Sequence, residues 1–255
     1  MKFDHPAFAP YRPLIDALDL GRAQPAPAPD CLDALNAQAI RLDIRNAGGL
    51  PLRFFAPDGR LSARDYETHI LRTGQVPTRA ETWHDVLNAL VWLRFPRFKS
   101  ALNAAHGTAI SGETSSTRGR RRDALTVLDE SGVWVISRDS ALPALLAERA
   151  WHSLFWEARS RVETEMRFVV VGHALLEKAL APYPAMTGKC LTLIAESPDP
   201  DAADELSTLA LAAIDSPRQL APLPVQGIPG WDPANANAAY YANQEIFRPV
   251  RHAAS

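Results

Sequence analysis

Apolar residues recur every three to four positions through residues 82–106, and a row of polar residues keeps step with them. In the first half, Trp83, Leu87, Leu90 and Leu93 fall on one side of a helix, while His84 and Asn88 fall together on another with Asp85 beside them. In the second half, Phe98, Ala101, Leu102 and Ala105 form the apolar face, and Lys99, Asn103 and His106 form a straight stripe at i, i+4 and i+7. Thr82 with Asp85 offers an N-cap, and Pro96 suits the first turn of a second helix. The spacing therefore predicts two short helices joined at Phe95-Pro96, a hairpin that would turn its polar stripes toward each other.

Similar patterning predicts further elements. Leu32, Leu35 and Ile40 mark a helix over 31–41; Ser62 with Asp65 resembles a capping box and opens a helix to about Arg72. Short apolar runs predict strands over 52–55, ended by the turn Pro57-Asp58-Gly59, over 166–171 and over 191–195. Residues 124–128 and 133–136 predict a β-hairpin (about 124–136) turning at Asp129-Glu130-Ser131-Gly132. Residues 106–120 are polar and contain glycine, and predict a mobile loop. Asp139 and Ser140 cap helical segments to about Glu163, and helices follow over 173–180 and 202–214. Helices and strands do not alternate regularly, so the expected fold class is α+β: a mostly helical single domain (1–255) with a small sheet. Prolines crowd both ends (Pro6, Pro10, Pro13, Pro25, Pro27 and Pro29; Pro217 to Pro249), predicting irregular, extended arms over 1–30 and 216–255. Phe8, Tyr11, Trp231, Tyr240, Tyr241 and Phe247 make those arms too aromatic for free linkers, so both should dock on the core.

Composition narrows the partners. The chain has 255 residues, 47% hydrophobic and 22% charged, enough to bury a core without disulfides. A net charge of −2 gives no general attraction to nucleic acid, which is not an expected partner. Only Cys31 and Cys190 are present, which excludes a disulfide framework or a cysteine zinc site and points to buried thiols in the cytoplasm. No apolar run approaches the ~20 residues of a membrane helix, so no membrane partner is expected. Oligomeric state is left undetermined.

Three polar constellations carry the candidate chemistry. The helical pair supplies His84, His106, Asn88, Lys99 and Asn103. Arg118, Arg120, Arg121 and Arg122, followed by Asp123, supply guanidinium groups that grip phosphate or carboxylate in two places. His173 follows Gly172 at a predicted helix start, with Glu177 one turn on. Each also has a structural explanation: a solvated helix face, a loop of weak ion pairs, and a helix-start histidine bonded to backbone. Gly-x-Ser-x-Gly, Gly-x-Gly-x-x-Gly, a full Walker loop and His-Glu-x-x-His are all absent. No metal ligand is assigned and no cofactor is expected; the divalent-metal arrangement left open is His84, His106 and His173 with a carboxylate.

Four segments together resemble a known bacterial family. They are Thr82-Trp-His-Asp-Val-Leu-Asn-Ala-Leu-Val-Trp-Leu-Arg-Phe-Pro, Arg121-Arg-Asp-Ala-Leu-Thr-Val-Leu-Asp-Glu-Ser-Gly, Gly172-His-Ala-Leu-Leu-Glu-Lys and Ile228-Pro-Gly-Trp. They are similar to the proteobacterial domain of unknown function 3025, across about 52–248. The resemblance implies one domain and no particular activity. Two readings follow from the residues. In the first, the chain is an enzyme for a small anionic or phosphorylated substrate. His84, His106, His173, Asp123 and Glu177 then serve proton transfer, and Asn88, Lys99, Asn103, Arg121 and Arg122 hold the substrate. In the second, it is a non-catalytic module that binds a partner or nucleic acid; its polar rows are closed hydrogen-bond networks and it has no sizeable pocket. The first requires the histidines to converge.

Overall fold

Val133, Trp134, Val135 and Ile136 are completely buried, an uninterrupted apolar run of the kind that only a central strand covered on both faces can hold. In the computed structural model, which describes residues 3–22, 27, 31–113 and 119–250, this run is strand β3 (Gly132–Ser137). The elements before it are α1 (Arg12–Ala17), α2 (Cys31–Arg41), β1 (Arg53–Phe55), α3 (Ala63–Thr73), β2 (Gln75–Pro77), α4 (Trp83–Arg94), α5 (Pro96–Gly112) and α6 (Arg120–Ser131). Those after it are α7 (Ala141–Ala147), α8 (Arg159–Glu165), β4 (Met166–Val170), α9 (His173–Ala179), β5 (Thr187–Ile194), α10 (Pro200–Ala212) and β6 (Ala221–Pro224). The main sheet runs β4-β3-β5-β6, with β3 antiparallel to β4 and parallel to β5. β1 and β2 make a separate parallel pair. The fold is a mostly helical α+β domain, as expected, and one continuous apolar core joins its parts.

Trp134 anchors the helices to the sheet, with its ring 4.6 Å from Phe95 and 5.2 Å from Phe98. Those two residues flank the α4–α5 corner, where the first backbone N–H groups of a helix lack internal partners. Asp204 of α10 meets them, accepting from Arg97 N at 3.2 Å and Phe98 N at 2.8 Å.

The structure corrects three expectations and adds one strand. Residues 124–128 are helical and belong to α6, so there is no hairpin at 124–136. Thr126 and Val127 suggested a strand, but Ala124, Leu125 and Leu128 are the buried positions, at helical spacing. The neighbours of β3 come from distant β4 and β5. Second, residues 107–112 continue α5 rather than forming a loop. Gly107 lies where α3 crosses closely, since an added Cβ would stand 2.4 Å from Leu71 Cδ2, and Ile110 pins the next turn into the core. Residues 114–118, including Arg118, lie outside the described residues. Third, the N-terminal arm docks, but as 3-10 turns (Pro6–Tyr11) and α1 rather than extended chain; Pro6 and Pro13 sit in first turns, where a fixed φ suits a helix. The C-terminal arm also docks, through β6 and short 3-10 turns. The added strand is β2, which had no clear sequence signal, being three residues long and ending in proline.

One close approach positions the site. A Cβ added to Gly172 would lie 2.3 Å from Gly132 N and 2.5 Å from Ser131 N, so only a glycine pair lets these backbones pass. Gly132 O accepts from both Val171 N and Gly172 N at 2.9 Å. The C-terminal turn of α6, carrying Asp129 and Glu130, is thereby clamped against the start of α9, carrying His173.

Candidate functional site

Helices α3, α4, α5, α6 and α9 meet around a cleft of about 550 Å³. The predicted facing of the two polar stripes occurs at its base, where buried Lys99 donates to Asn88 Oδ1 at 2.8 Å. Asn88 in turn donates to Tyr66 OH at 2.8 Å. Lys99 also donates to Asp129 Oδ1, and its ammonium stands 5.4 Å from the Trp92 ring centre. These contacts explain why a lysine and an asparagine are stable inside apolar helices: each charged or polar end is met.

Above this layer, His84 and His173 face each other with their Nε2 atoms 3.1 Å apart. Each ring has a carboxylate behind it. Glu177 Oε2 is 2.9 Å from His84 Nδ1, and Asp129 Oδ1 is 3.9 Å from His173 Nδ1, too far for a hydrogen bond. His173 Nδ1 is buried and makes no hydrogen bond among the described residues. Glu130 Oε2 completes the group, 3.7 Å from His173 Nε2. His84 is about a third exposed, with 34% of its side chain accessible, so the pair lies at the boundary between core and cleft.

Burial and neighbouring charge set the protonation states. Burial pulls the His173 pKa down to about 4, against the opposing pull of Asp129, so this imidazole is neutral at ordinary pH. Burial also opposes the charge on Asp129, but Lys99, with help from His173, outweighs it and holds that carboxyl below its usual range. Burial and the nearby Asp129 charge raise Glu67 to about 7 and push Glu130 up as well. One carboxyl able to exchange protons near neutrality, Glu67, and a second one raised above its usual range, Glu130, therefore line a cleft that also holds three histidines.

Of the residues singled out in the sequence, His84, Asn88, His106, Arg122 and His173 line the cleft. Glu177 supports His84 from its far side. Lys99 lies beneath, as does Asn103, which donates to Glu67 Oε2 at 2.7 Å and Glu67 O at 3.0 Å. Arg122 pairs with Glu113 at 3.0 Å. Arg121 and Asp123 are not brought to the cleft. One helical residue turns the chain by about 100°, so Arg121 points away from Arg122 and donates to Ile214 O at 2.9 Å and Asp215 at 3.0 Å, beyond the end of α10. The Asp85 carboxylate accepts from Arg79 Nε at 2.8 Å and Nη2 at 3.0 Å on the cleft wall, and Asp85 N donates to its cap, Thr82 Oγ1. Sequence reasoning missed Tyr66, Glu67, Asp129 and Glu130 as site residues. The signal for Tyr66 and Glu67 was their place one turn before buried Ile70 on a predicted helix.

A model for a family described as protein of unknown function (DUF3025) matches residues 52–251. No curated protein and no solved structure matches the chain. The matched region contains every residue of the cleft. Among the described residues, no helix is long and apolar enough to cross a membrane.

Proposed function

The chain belongs to the DUF3025 family, and from that premise we propose that it is an enzyme acting on a small anionic substrate held in the α3–α4–α5–α6–α9 cleft. One observation carries the reading: two imidazoles meet Nε2 to Nε2 at 3.1 Å on the wall of an open cleft, each with a carboxylate behind it. At His84, the Glu177 carboxylate bonded to Nδ1 fixes the tautomer and leaves Nε2 to exchange a proton, which is the arrangement acid–base chemistry needs. His84 is the proton carrier of choice because it reaches the cleft, and Glu177 orients it. Glu67, raised to about 7, offers a further proton site, and burial and the Asp129 charge raise Glu130 as well. Arg60, Arg79 and Arg122 give the walls their guanidinium groups; Arg79 and Arg122 already face carboxylates, so they suit a small anion that displaces or shares those partners. Asn88, Lys99 and Asn103 serve as scaffold, since their hydrogen bonds run to each other and to the cleft wall. Buried Cys31 and Cys190 suit a reducing compartment, which supports a cytoplasmic reading.

The test is thermal shift with inorganic phosphate, simple phosphate monoesters and short dicarboxylates, on the wild type and His84→Gln. A ligand at 100 times its Kd stabilises the native state by about 2.7 kcal/mol, a rise of several degrees for a chain of this size. The expected result is a rise with at least one probe that is lost in His84→Gln. No response to any of the three classes, or an equal response in the variant, overturns the reading.

A further inference from the structure

The His84–His173 contact is close to what one metal ion would demand. We infer that His84 Nε2, His173 Nε2 and Glu130 form a binding site for a divalent transition-metal ion at the cleft wall. Their ligand atoms all lie within 4.8 Å of one another. Two imidazole nitrogens 3.1 Å apart, each about 2.1 Å from a shared ion, subtend roughly 95° there, inside the range of tetrahedral and octahedral sites.

The surroundings support a ligand role more specifically than proximity does. The hydrogen bond that His84 Nδ1 donates to Glu177 leaves the Nε2 lone pair aimed at His173. Second-shell carboxylates commonly hold ligating histidines in this way. His173 is 5% exposed, with Nδ1 turned toward Asp129 and Nε2 toward His84 and Glu130. Two nitrogens and one carboxylate oxygen suit zinc, iron(II), cobalt or manganese better than calcium or magnesium, which prefer oxygen alone. Three protein ligands on one side leave positions open toward the cleft, where water and an anionic oxygen of the substrate would bind. This inference rests on the reading of the cleft as an active site and alters one part of it: in the loaded protein the two imidazoles hold the ion instead of carrying protons.

Calorimetric titration of EDTA-treated, dialysed full-length protein with zinc chloride and manganese chloride tests the site, with the visible spectrum of the cobalt-loaded protein reporting nitrogen ligation. One ion per chain is expected. Glu177→Gln, which keeps a hydrogen-bonding group at His84, weakens binding about 10- to 100-fold. Glu130→Gln and His84→Ala weaken it further, and His152→Ala, at an exposed histidine on the chain between α7 and α8, leaves it unchanged. Circular dichroism confirms that each variant is folded; His84→Ala and Glu130→Gln alter partly exposed side chains, so both should pass. No binding by wild type, or equal affinity in wild type and Glu130→Gln, overturns the inference. Phosphate or carboxylate protection that persists in EDTA while metal fails to bind would leave the active-site reading standing without the ion. Metal binding without any anion response would do the reverse.

Discussion

Asp129→Ala destabilises the protein by about 3–5 kcal/mol, and the double substitution Lys99→Met, Asp129→Leu recovers most of that loss. Lys99 is 3% exposed and its ammonium is held by Asp129 and Asn88. Removing the aspartate strands a cation in the core, where the Asn88 carbonyl and the Trp92 ring cannot replace a full negative charge. Native domains are stable by about 5–15 kcal/mol in all, so one side chain here governs a large share. The double variant removes both charges and fills the volume with apolar atoms, which buried ion pairs commonly tolerate. Urea denaturation with an unchanged slope measures both effects. A single-variant loss below about 1 kcal/mol, in the range of exposed pairs, or a double variant no better than the single, would show that the pair does not bear on the fold as described. The double variant also lacks the carboxylate behind His173, so it separates stability from function: it should fold, yet lose ligand response.

Glu67→Gln is expected to stabilise the protein by about 2 kcal/mol at pH 8 and to have little effect at pH 4, measured in EDTA. Burial and the Asp129 charge raise the Glu67 carboxyl from 4.5 to about 7. Its contribution is full below pH 4.5 and is lost as pH rises through 7, where the folded protein must ionise a carboxyl that would rather stay neutral. A shift of this size is worth about 3 kcal/mol for a dry group, and less for one at the edge of a wet cleft. Glutamine stays neutral and still presents an oxygen to Asn103 Nδ2. His173 runs in the opposite direction. Its pKa falls from 6.5 to about 4, so its contribution is full above pH 6.5 and is lost as pH falls toward 4. In the wild type the two trends partly cancel between pH 4.5 and 6.5, giving a flat profile. Glu67→Gln leaves the histidine trend alone, so variant stability should climb with pH over that interval. A variant that tracks the wild type at every pH would mean that Glu67 ionises as freely as a solvated carboxyl.

Much of the helical frame was legible because its start signals are local. Ser62 and Thr82 do cap α3 and α4, and Pro96 does open α5. The convergence of His84 and Asn88 with Lys99 and His106 was legible from spacing alone, because i, i+4 stripes on two joined helices have few ways to meet. Asp129 and Glu130 were not legible as site residues. An Asp-Glu-Ser-Gly run after β-branched Thr126 and Val127 reads as a hairpin turn, and only packing against α9 and β5 reveals a helix end. The metal-type cluster depends on Gly132 and Gly172, whose backbones nearly touch across forty residues of sequence. No periodic pattern encodes such an approach. Arg121 and Arg122 look equivalent in sequence, and only the rotation of α6 sends one to the cleft and the other to the end of α10.

The N-terminal segment places a constraint in time. Tyr11 donates to Val170 O at 2.7 Å, 159 residues downstream, and His5 contacts Gln226 at 3.3 Å, 221 residues downstream. During synthesis this segment leaves the ribosome long before the strand and turn that receive it. Phe3, Phe8 and Tyr11, all buried in the finished protein, must then remain exposed or be shielded by other factors until most of the chain has been made. Such long closures slow folding. Val170 stands three residues before His173, so a brace behind the histidine pair comes from a segment made 159 residues before its partner.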